Sequence, residues 1–226
     1  LTPEGAVYLG EARKILAQVE MSTRYMQSYG VEADVLNIVT LPTFGARWLI
    51  PRLNGFRFKY PNINLNIANR TEPFDMQKER IEAAFFFGHG VWPRAECIKL
   101  LDEEVVPVCA PTAMEQTAVR DPLDLTDMVL LQVSTRPEGW HDWFEAQDLY
   151  TEHSYHGPRF DTFYMALRAA RAGCGVALVP KFLAQEELDE GKLVIPWQFS
   201  LKSQDAYYMA YPEPVSYTHL RAHETG

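Results

Sequence analysis

The stretch VLNIVTLPTFGARWLIPRLNGFRFKYPNINLNIA, Val35 to Ala68, decides the fold class. VLNIVT (Val35 to Thr40) has the length and the branched apolar residues of a buried strand. Thr43 can cap a helix running to about Tyr60, with Phe44, Trp48, Leu49, Leu53 and Phe56 on its apolar side. Pro51 lies inside that helix and predicts a kink or a division, because proline removes a donor and crowds the preceding turn. Pro61 stops the helix, and INLNIA (Ile63 to Ala68) alternates as a half-buried strand.

The same style continues outward. EPFDMQKER is a short helix candidate, and AAFFF (Ala83 to Phe87) is an apolar strand that breaks at Gly88-His89-Gly90. Val105 to Ala110 reads as a strand that stops at Pro111, and MVLLQV (Met128 to Val133) as another. STRPEG is a loop, GWHDWFEAQ a short helix, and HSYHGPRF an extended segment. Asp161 or Thr162 can cap the next helix, which places Met165, Leu167 and Ala170 partly inward and ends at Gly173-Cys174-Gly175. VALVP (Val176 to Pro180) is a buried strand, FLAQEELDEGK a helix ending at Gly191, and KLVIPW and DAYYMAY (Asp205 to Tyr211) are final strands. Strands alternating with helices predict an α/β architecture with mainly parallel sheets. Two such sets, each with its own sheet, suggest two subdomains. Ligands in such folds bind outside the carboxyl ends of the strands, where helix N-termini offer free N–H groups.

Ahead of this body, LTPEG opens like a helix, with Thr2 as a cap, Pro3 in the first turn and Glu4 at the positive end of the dipole. A helix from about Pro3 to Tyr29, ending near Gly30, places Tyr8, Ala12, Ile15, Val19, Ser22, Met26 and Tyr29 at alternating spacings of four and three. That is a heptad seam. It fits a dimerising helix; a helix packed on its own domain is the other account.

Composition bounds the function. The chain has 226 residues, 47% hydrophobic and 23% charged, which suits a folded domain with a sizeable core and excludes disorder. Lys+Arg is 21 against Asp+Glu 30, a net charge of -9, so this segment has no footprint for gripping nucleic acid by itself. Cys97, Cys109 and Cys174 are scattered and odd in number, which suits a reducing compartment. No apolar run reaches a membrane span of roughly 20 residues, and no secretory signal opens the chain. The tail SYTHLRAHETG, residues 216–226, fits nothing before it and reads as non-native.

At this point the residues resemble a known family. LIPRLNGFRFKYPNINLNI is similar to the P-x-L-x-x-F-x-x-x-Y-P stretch and following strand of LysR-type transcriptional regulators. IEAAFFFGHG resembles the family's D-L-A-I-R-x-G strand, LLDEEVVPVCAP its crossover strand, and ARAGCGVALVPKFLAQEELDEGKLV its G-x-G-I-A-L-L-P block. LTPEGAVYLGEARKIL resembles the passage from a DNA-binding head into a linker helix, and FDTF with AYYMAYP looks closest to the branch of glycine-cleavage and β-lactamase regulators. Two departures are Glu82 in place of the usual Asp and Phe86 where many members carry Arg. The chain also stops about where the family's last helix begins.

The resemblance implies two Rossmann-like subdomains in a periplasmic-binding-protein type 2-like arrangement, preceded by the linker helix. The linker would take residues 1–30. The first effector-binding subdomain would take 34–108 plus 207–214, and the second 109–206. It further implies a cytoplasmic homodimer or homotetramer, promoter DNA held through a missing N-terminal winged helix-turn-helix, no membrane partner and no cofactor.

Physics and resemblance meet at four loci. Pro42, Thr43 and Phe44 follow the first strand, and Thr43 either meets a ligand carboxylate or caps its helix, or both. Phe87, Gly88 and His89 follow another strand, with His89 a polar, pH-sensitive contact or a plain surface histidine. Ser134 and Thr135 offer two hydroxyls, or turn chemistry. Phe160, Asp161 and Thr162 open a helix, with Asp161 as a cap and Thr162 as the contact. Tyr207 in the returning strand is a fifth, weaker candidate. These predict a cleft for a small anionic or zwitterionic effector.

Other patterns do not reach a site. His153 and His156 have H-x-x-H spacing, with His141 not far, but no Cys or carboxylate falls at a convincing ligand spacing. Cys174 enters an apolar strand, and no nucleophile elbow, phosphate loop or dinucleotide fingerprint is present. The Glu186–Glu190 acidic run is a solvated helix end, and Trp140 with Trp143 is a packed face. The function expected is the ligand-sensing domain of a transcription factor. The alternatives are a solute-binding protein of an uptake system and an enzyme on the same scaffold.

Overall fold

A computed structural model describes residues 2–28 and 34–213. Helix α1 (Pro3–Ser28) starts as the sequence predicts, with Thr2 Oγ1 accepting the Gly5 N–H at 3.1 Å. The expected stop at Gly30, the seam position Tyr29 and the 216–226 tail lie outside the described residues. Tyr8, Ile15 and Val19 of the seam are exposed, and so are Val7 and Leu16 beside it.

Strand β1 (Asp34–Thr40) pairs in parallel with β2 (Ile63–Asn69), which confirms the first strand-helix-strand unit. The helix between them is divided. A short turn α2 (Pro42–Phe44) runs into a π turn at Gly45–Leu49 and a 3-10 turn at Ile50–Arg52, and only then into α3 (Leu53–Lys59). Pro51 sits in the 3-10 turn, where its missing N–H costs least. Helix α4 (Met76–Glu79) is capped by the Asp75 side chain, and β3 (Ala83–Gly88) follows.

The ladder then runs on through β4 (Ala95–Val108), α5 (Pro111–Gln116), β5 (Leu130–Val133), α6 (Gly139–Glu145), β6 (Arg159–Phe160), α7 (Phe163–Arg171), β7 (Val176–Pro180), α8 (Lys181–Asp189) and β8 (Leu201–Pro212). The strand order is β2-β1-β3-β8-β4-β7-β5-β6. This corrects two expectations. The pairing is mixed, parallel in β1–β2, β1–β3, β5–β6 and β5–β7 but antiparallel wherever β4 or β8 takes part. The hydrogen-bonded ladder is also continuous, because β4 and β8 are long enough to pair with both ends. Between those ends their register shifts at Lys99/Leu101 and at Asp102/Glu104.

Three local readings change as well. Residues 95–104 extend β4 backwards from the expected Val105. Residues 153–155 fall in a 3-10 turn (Glu152–Tyr155), so only Arg159–Phe160 of HSYHGPRF is strand. KLVIPW is no strand; its one bridge is Val194 to Cys109.

The core has a cluster on each side of each half. Ile38, Phe44, Phe85 and Tyr207 pack at the β1 end, and Val39, Met76, Ala84 and Ala210 pack on the opposite face. At the β5 end Leu131, Leu167, Val179 and Leu183 form one cluster and Leu125, Trp140, Trp143 and Phe144 the other. Two glycines let β5 enter this packing. A Cβ on Gly175 (φ 147°) would sit 2.1 Å from the Val129 carbonyl oxygen, and one on Gly157 (φ 123°) 2.1 Å from that of Leu130. The fold class is the expected one, α/β with the two-subdomain arrangement of type 2 periplasmic binding proteins behind a long helix.

Candidate effector cleft

A cavity of about 580 Å³ opens between the two ends of the sheet. From the β1 end come Pro42, Thr43, Phe44 and Phe87; from the β5 end come Thr135, Arg136, Asp161, Thr162 and Phe163; Tyr207 comes from β8. The strand ends place them there, since β1, β3 and β5 each deliver the chain to this gap through the loop that follows. Of the expected site residues, Pro42, Thr43, Phe44, Phe87, Thr135, Thr162 and Tyr207 line the cavity. Gly88, His89, Ser134 and Phe160 are outside its lining. His89 is exposed and its Nδ1 rests against Asp205. Phe160 packs on the β5-end core, and Ser134 reaches the cleft only through Asp161, whose Oδ1 accepts its hydroxyl at 3.5 Å.

The threonines do different work. Thr43 does not cap a helix. It is buried, and its Oγ1 accepts the Tyr164 backbone N–H from α7 at 3.0 Å, across the cleft. Thr162 is the cap of α7, its Oγ1 accepting the Met165 N–H at 3.3 Å. A second tie sits beside the first, where Arg47 of the π turn forms a bidentate ion pair with Glu187 of α8.

Aromatic rings build one wall. Phe44 stacks on Tyr207 at 5.0 Å and 9°, and Phe87 tilts against the same ring at 5.1 Å. Tyr207 Oη donates to Glu103 Oε2 at 2.7 Å. Burial, with the adjacent carboxylate, pushes the Tyr207 hydroxyl far above the ordinary phenol range, so it stays a donor. Glu103 is itself buried, and burial raises its carboxyl against the opposing pull of Arg136.

Arg136 is one residue the sequence reading missed. It lay in STRPEG, where nothing distinguished it from a surface loop arginine. Its guanidinium lies over the Phe87 ring at 3.8 Å and 3.7 Å from Glu103, Nη1 donates to the Thr135 carbonyl at 3.0 Å, and Nε is buried without a hydrogen-bond partner among the described residues. Arg70, Glu72 and Trp92 also line the cleft and were missed, since the loops that hold them carry no motif. On α6, His141, Asp142 and Glu145 each bring one ligand atom within 4.8 Å of the others, a grouping that the spacing of His141, His153 and His156 did not suggest. No helix among the described residues is long and apolar enough to cross a membrane.

A gap between two α/β halves, lined by hydroxyls, rings and a poised guanidinium, defines a small-molecule sensor module. The comparisons with known proteins agree. The model of the LysR substrate binding domain matches residues 30–216. The glycine cleavage system transcriptional activator of Escherichia coli strain K12 is 33% identical over 210 residues, covering 92% of this chain and 68% of that protein. The HTH-type transcriptional activator AmpR of Rhodobacter capsulatus is 30% identical over 217 residues, covering 93% and 73%. Among solved structures, the effector domain of the transcriptional regulator AmpR of Pseudomonas aeruginosa matches with a TM-score of 0.71 at 29% identity, covering 83% of this chain and 89% of that one.

The chain belongs to the LysR family of transcriptional regulators and is a ligand-sensing regulatory domain of that family. It is neither an enzyme nor the solute-binding protein of an uptake system. Regulators of this family bind small-molecule effectors and DNA.

Proposed function

We propose that the cleft takes a small anionic or zwitterionic effector and that its occupancy changes the geometry of a homodimer or homotetramer. Arg136 carries this reading: it is the cation lining the gap whose Nε has no hydrogen-bond partner among the described residues, and Asp161, on the same side of the gap, can receive an ammonium group. Pro42, Thr43, Phe44, Phe87, Thr135, Thr162 and Tyr207 line the contact, with Gly88, His89, Ser134 and Phe160 as its supporting shell. In this reading residues 34–108 plus 207–214 form one lobe, 109–206 the other, and residues 1–30 the helix that joins two copies. The likeness to glycine-cleavage and AmpR activators makes amino acids and peptidoglycan fragments the first compounds to test. DNA is held by a segment N-terminal to this chain, in the cytoplasm, and residues 216–226 take no part.

An effector can act only through its difference in affinity between open and closed arrangements. Isothermal titration with amino acids, organic acids and peptidoglycan fragments, each beside its uncharged amide or ester, tests the reading. The charged member of a pair must bind at least roughly tenfold tighter, as the loss of one charge-assisted contact requires. Equal affinity within every pair, or binding unchanged by Thr43→Val with Thr162→Val, sinks it.

A further inference from the structure

A second cavity, of about 400 Å³, adjoins the effector cleft. Phe87, Arg136 and Phe163 line both, so they form the wall between the two spaces. The far side is built mainly from the β5 end of the sheet, with Leu131, Leu178 and Trp140 as an apolar floor. Trp140 is fixed there, because its Nε1 donates to the Leu131 carbonyl at 3.1 Å.

The charges around this floor are unbalanced. Glu103, Asp142 and Asp205 line it against Arg136 and Lys202. Lys202 is 79% exposed and turns outward to Glu104 at 3.6 Å. His89 Nδ1 touches the buried Oδ1 of Asp205, which has no hydrogen-bond partner among the described residues, while the His89 side chain itself is 80% exposed and lies outside the cavity lining. Arg136 is therefore the one inward cation among the described lining residues, and it already faces Glu103.

Glu103 is the informative group. Its side chain is 3% exposed. Oε2 accepts the Tyr207 hydroxyl and faces Arg136. Oε1 makes no hydrogen bond among the described residues. Asp205 lines the same cavity, and its negative charge adds to that of Glu103. A carboxyl with one oxygen open to the cavity and a second carboxylate on the same lining favour positive charge with several donors. A primary ammonium supplies both, with three donors on a compact charge.

We propose that this cavity is a separate ligand site for a small primary amine with an aromatic or compact apolar body. The ammonium group sits between Glu103 Oε1 and Asp205, and the body lies on Leu131, Leu178 and Trp140. An anion meets two carboxylates there, and a neutral alcohol satisfies hydrogen bonds but leaves the charge uncompensated. The site stands whatever the effector cleft takes, since it uses the opposite side of Arg136.

Benzylamine, benzyl alcohol and benzoate are probes of one shape and three charges. They are titrated into the isotopically labelled chain while the indole N–H signals of Trp140 and the cleft-lining Trp92 are followed by NMR. Benzylamine is expected to shift Trp140 and to bind at least roughly tenfold tighter than benzyl alcohol, with no shift from benzoate. Glu103→Gln is expected to remove that advantage while leaving benzyl alcohol binding unchanged. Asp205→Asn, a more exposed position, is expected to weaken benzylamine several-fold if the Glu103 variant does not fold. Equal binding of amine and alcohol, a response confined to Trp92, or amine binding untouched by both substitutions overturns the proposal.

Discussion

The Arg47 guanidinium donates to both carboxylate oxygens of Glu187, at 2.6 and 2.5 Å, and Nη1 also reaches the Leu183 carbonyl at 2.9 Å. The two residues are 140 positions apart, one in the turn after α2 and the other on α8, so the pair ties the β1 end of the fold to the β5 end beside the cleft. Both side chains are mostly buried, at 14% and 7% exposure. Losing one partner strands the other charge without water. Arg47→Met is expected to cost about 3–5 kcal/mol, and Arg47→Met with Glu187→Leu far less. Urea unfolding of the parent, the single and the double variant measures this; a double loss as large as the single one removes the pair as a unit.

The same pair gives the protein a pH-dependent limb. Burial alone raises the Glu187 carboxyl, but the Arg47 hydrogen bonds and charge outweigh it, and the group sits below its ordinary 4.5. A carboxyl with a lowered folded pKa stabilises the fold above its unfolded pKa and loses that contribution as pH falls through the folded value. Stability of the parent should therefore drop as pH falls below about 4.5, the ordinary glutamate value. Arg47→Met should show a shallower drop across that window. Parallel slopes in urea midpoints against pH contradict the assignment.

Thr43 and Thr162 separate in their effects. Thr43→Val leaves the Tyr164 N–H without its acceptor, a loss of about 1–2 kcal/mol for a part-buried donor. Thr162→Val removes the cap on Met165 N–H at about 1 kcal/mol. The first touches contact between the two ends of the fold and the second a single helix. Hydrogen exchange should thus quicken at Tyr164 in the Thr43 variant and through the first turn of α7 in the Thr162 variant. Identical exchange patterns in the two contradict this division.

The parts of this fold that were legible are those fixed by local pattern. VLNIVT, INLNIA, AAFFF and VALVP all became strands, because each buries a continuous or alternating apolar run whatever its neighbours are. The first half of β4 was not legible. AECIKLLDEE carries five charged residues in ten, and only pairing with β8 along its length holds it extended. KLVIPW failed in the opposite direction, since it is apolar but Pro196 and a single bridge at Val194 leave it outside the ladder. At the site, hydroxyls at strand ends were visible from position alone. Glu103 and Arg136 were not: one lies within LLDEEVVPVCAP and the other in a loop, and only the folded chain brings them to 3.7 Å.

Helix α1 offers a direct test of association. Ile15 and Val19 are 64% and 55% exposed on the seam, and burying such a stripe against a second copy is the physical use of a heptad pattern. Ile15→Glu with Val19→Glu puts like charges across that seam. Light scattering is expected to show the parent as a dimer or larger and the variant as a monomer of unchanged fold. A parent that stays monomeric at high concentration removes the helix from the assembly.

Arg136→Gln probes the wall between the two cavities. Glu103 is already raised from 4.5 by burial and by Asp205, with Arg136 and Tyr207 pulling the other way. Without the guanidinium its proton affinity rises further. A carboxyl whose folded pKa exceeds its unfolded one favours the fold at low pH and loses that contribution as pH rises through the folded value. The variant should therefore lose more stability than the parent between acid and neutral pH, beyond a uniform cost from the broken contact. The Glu103 side-chain carboxyl resonance should titrate at higher pH than in the parent, and any anionic compound that binds the parent cleft should weaken roughly tenfold or more. An unmoved Glu103 titration shows that the 3.7 Å contact carries no electrostatic coupling. Unmoved anion affinity places the effector's charge on another residue of the cleft.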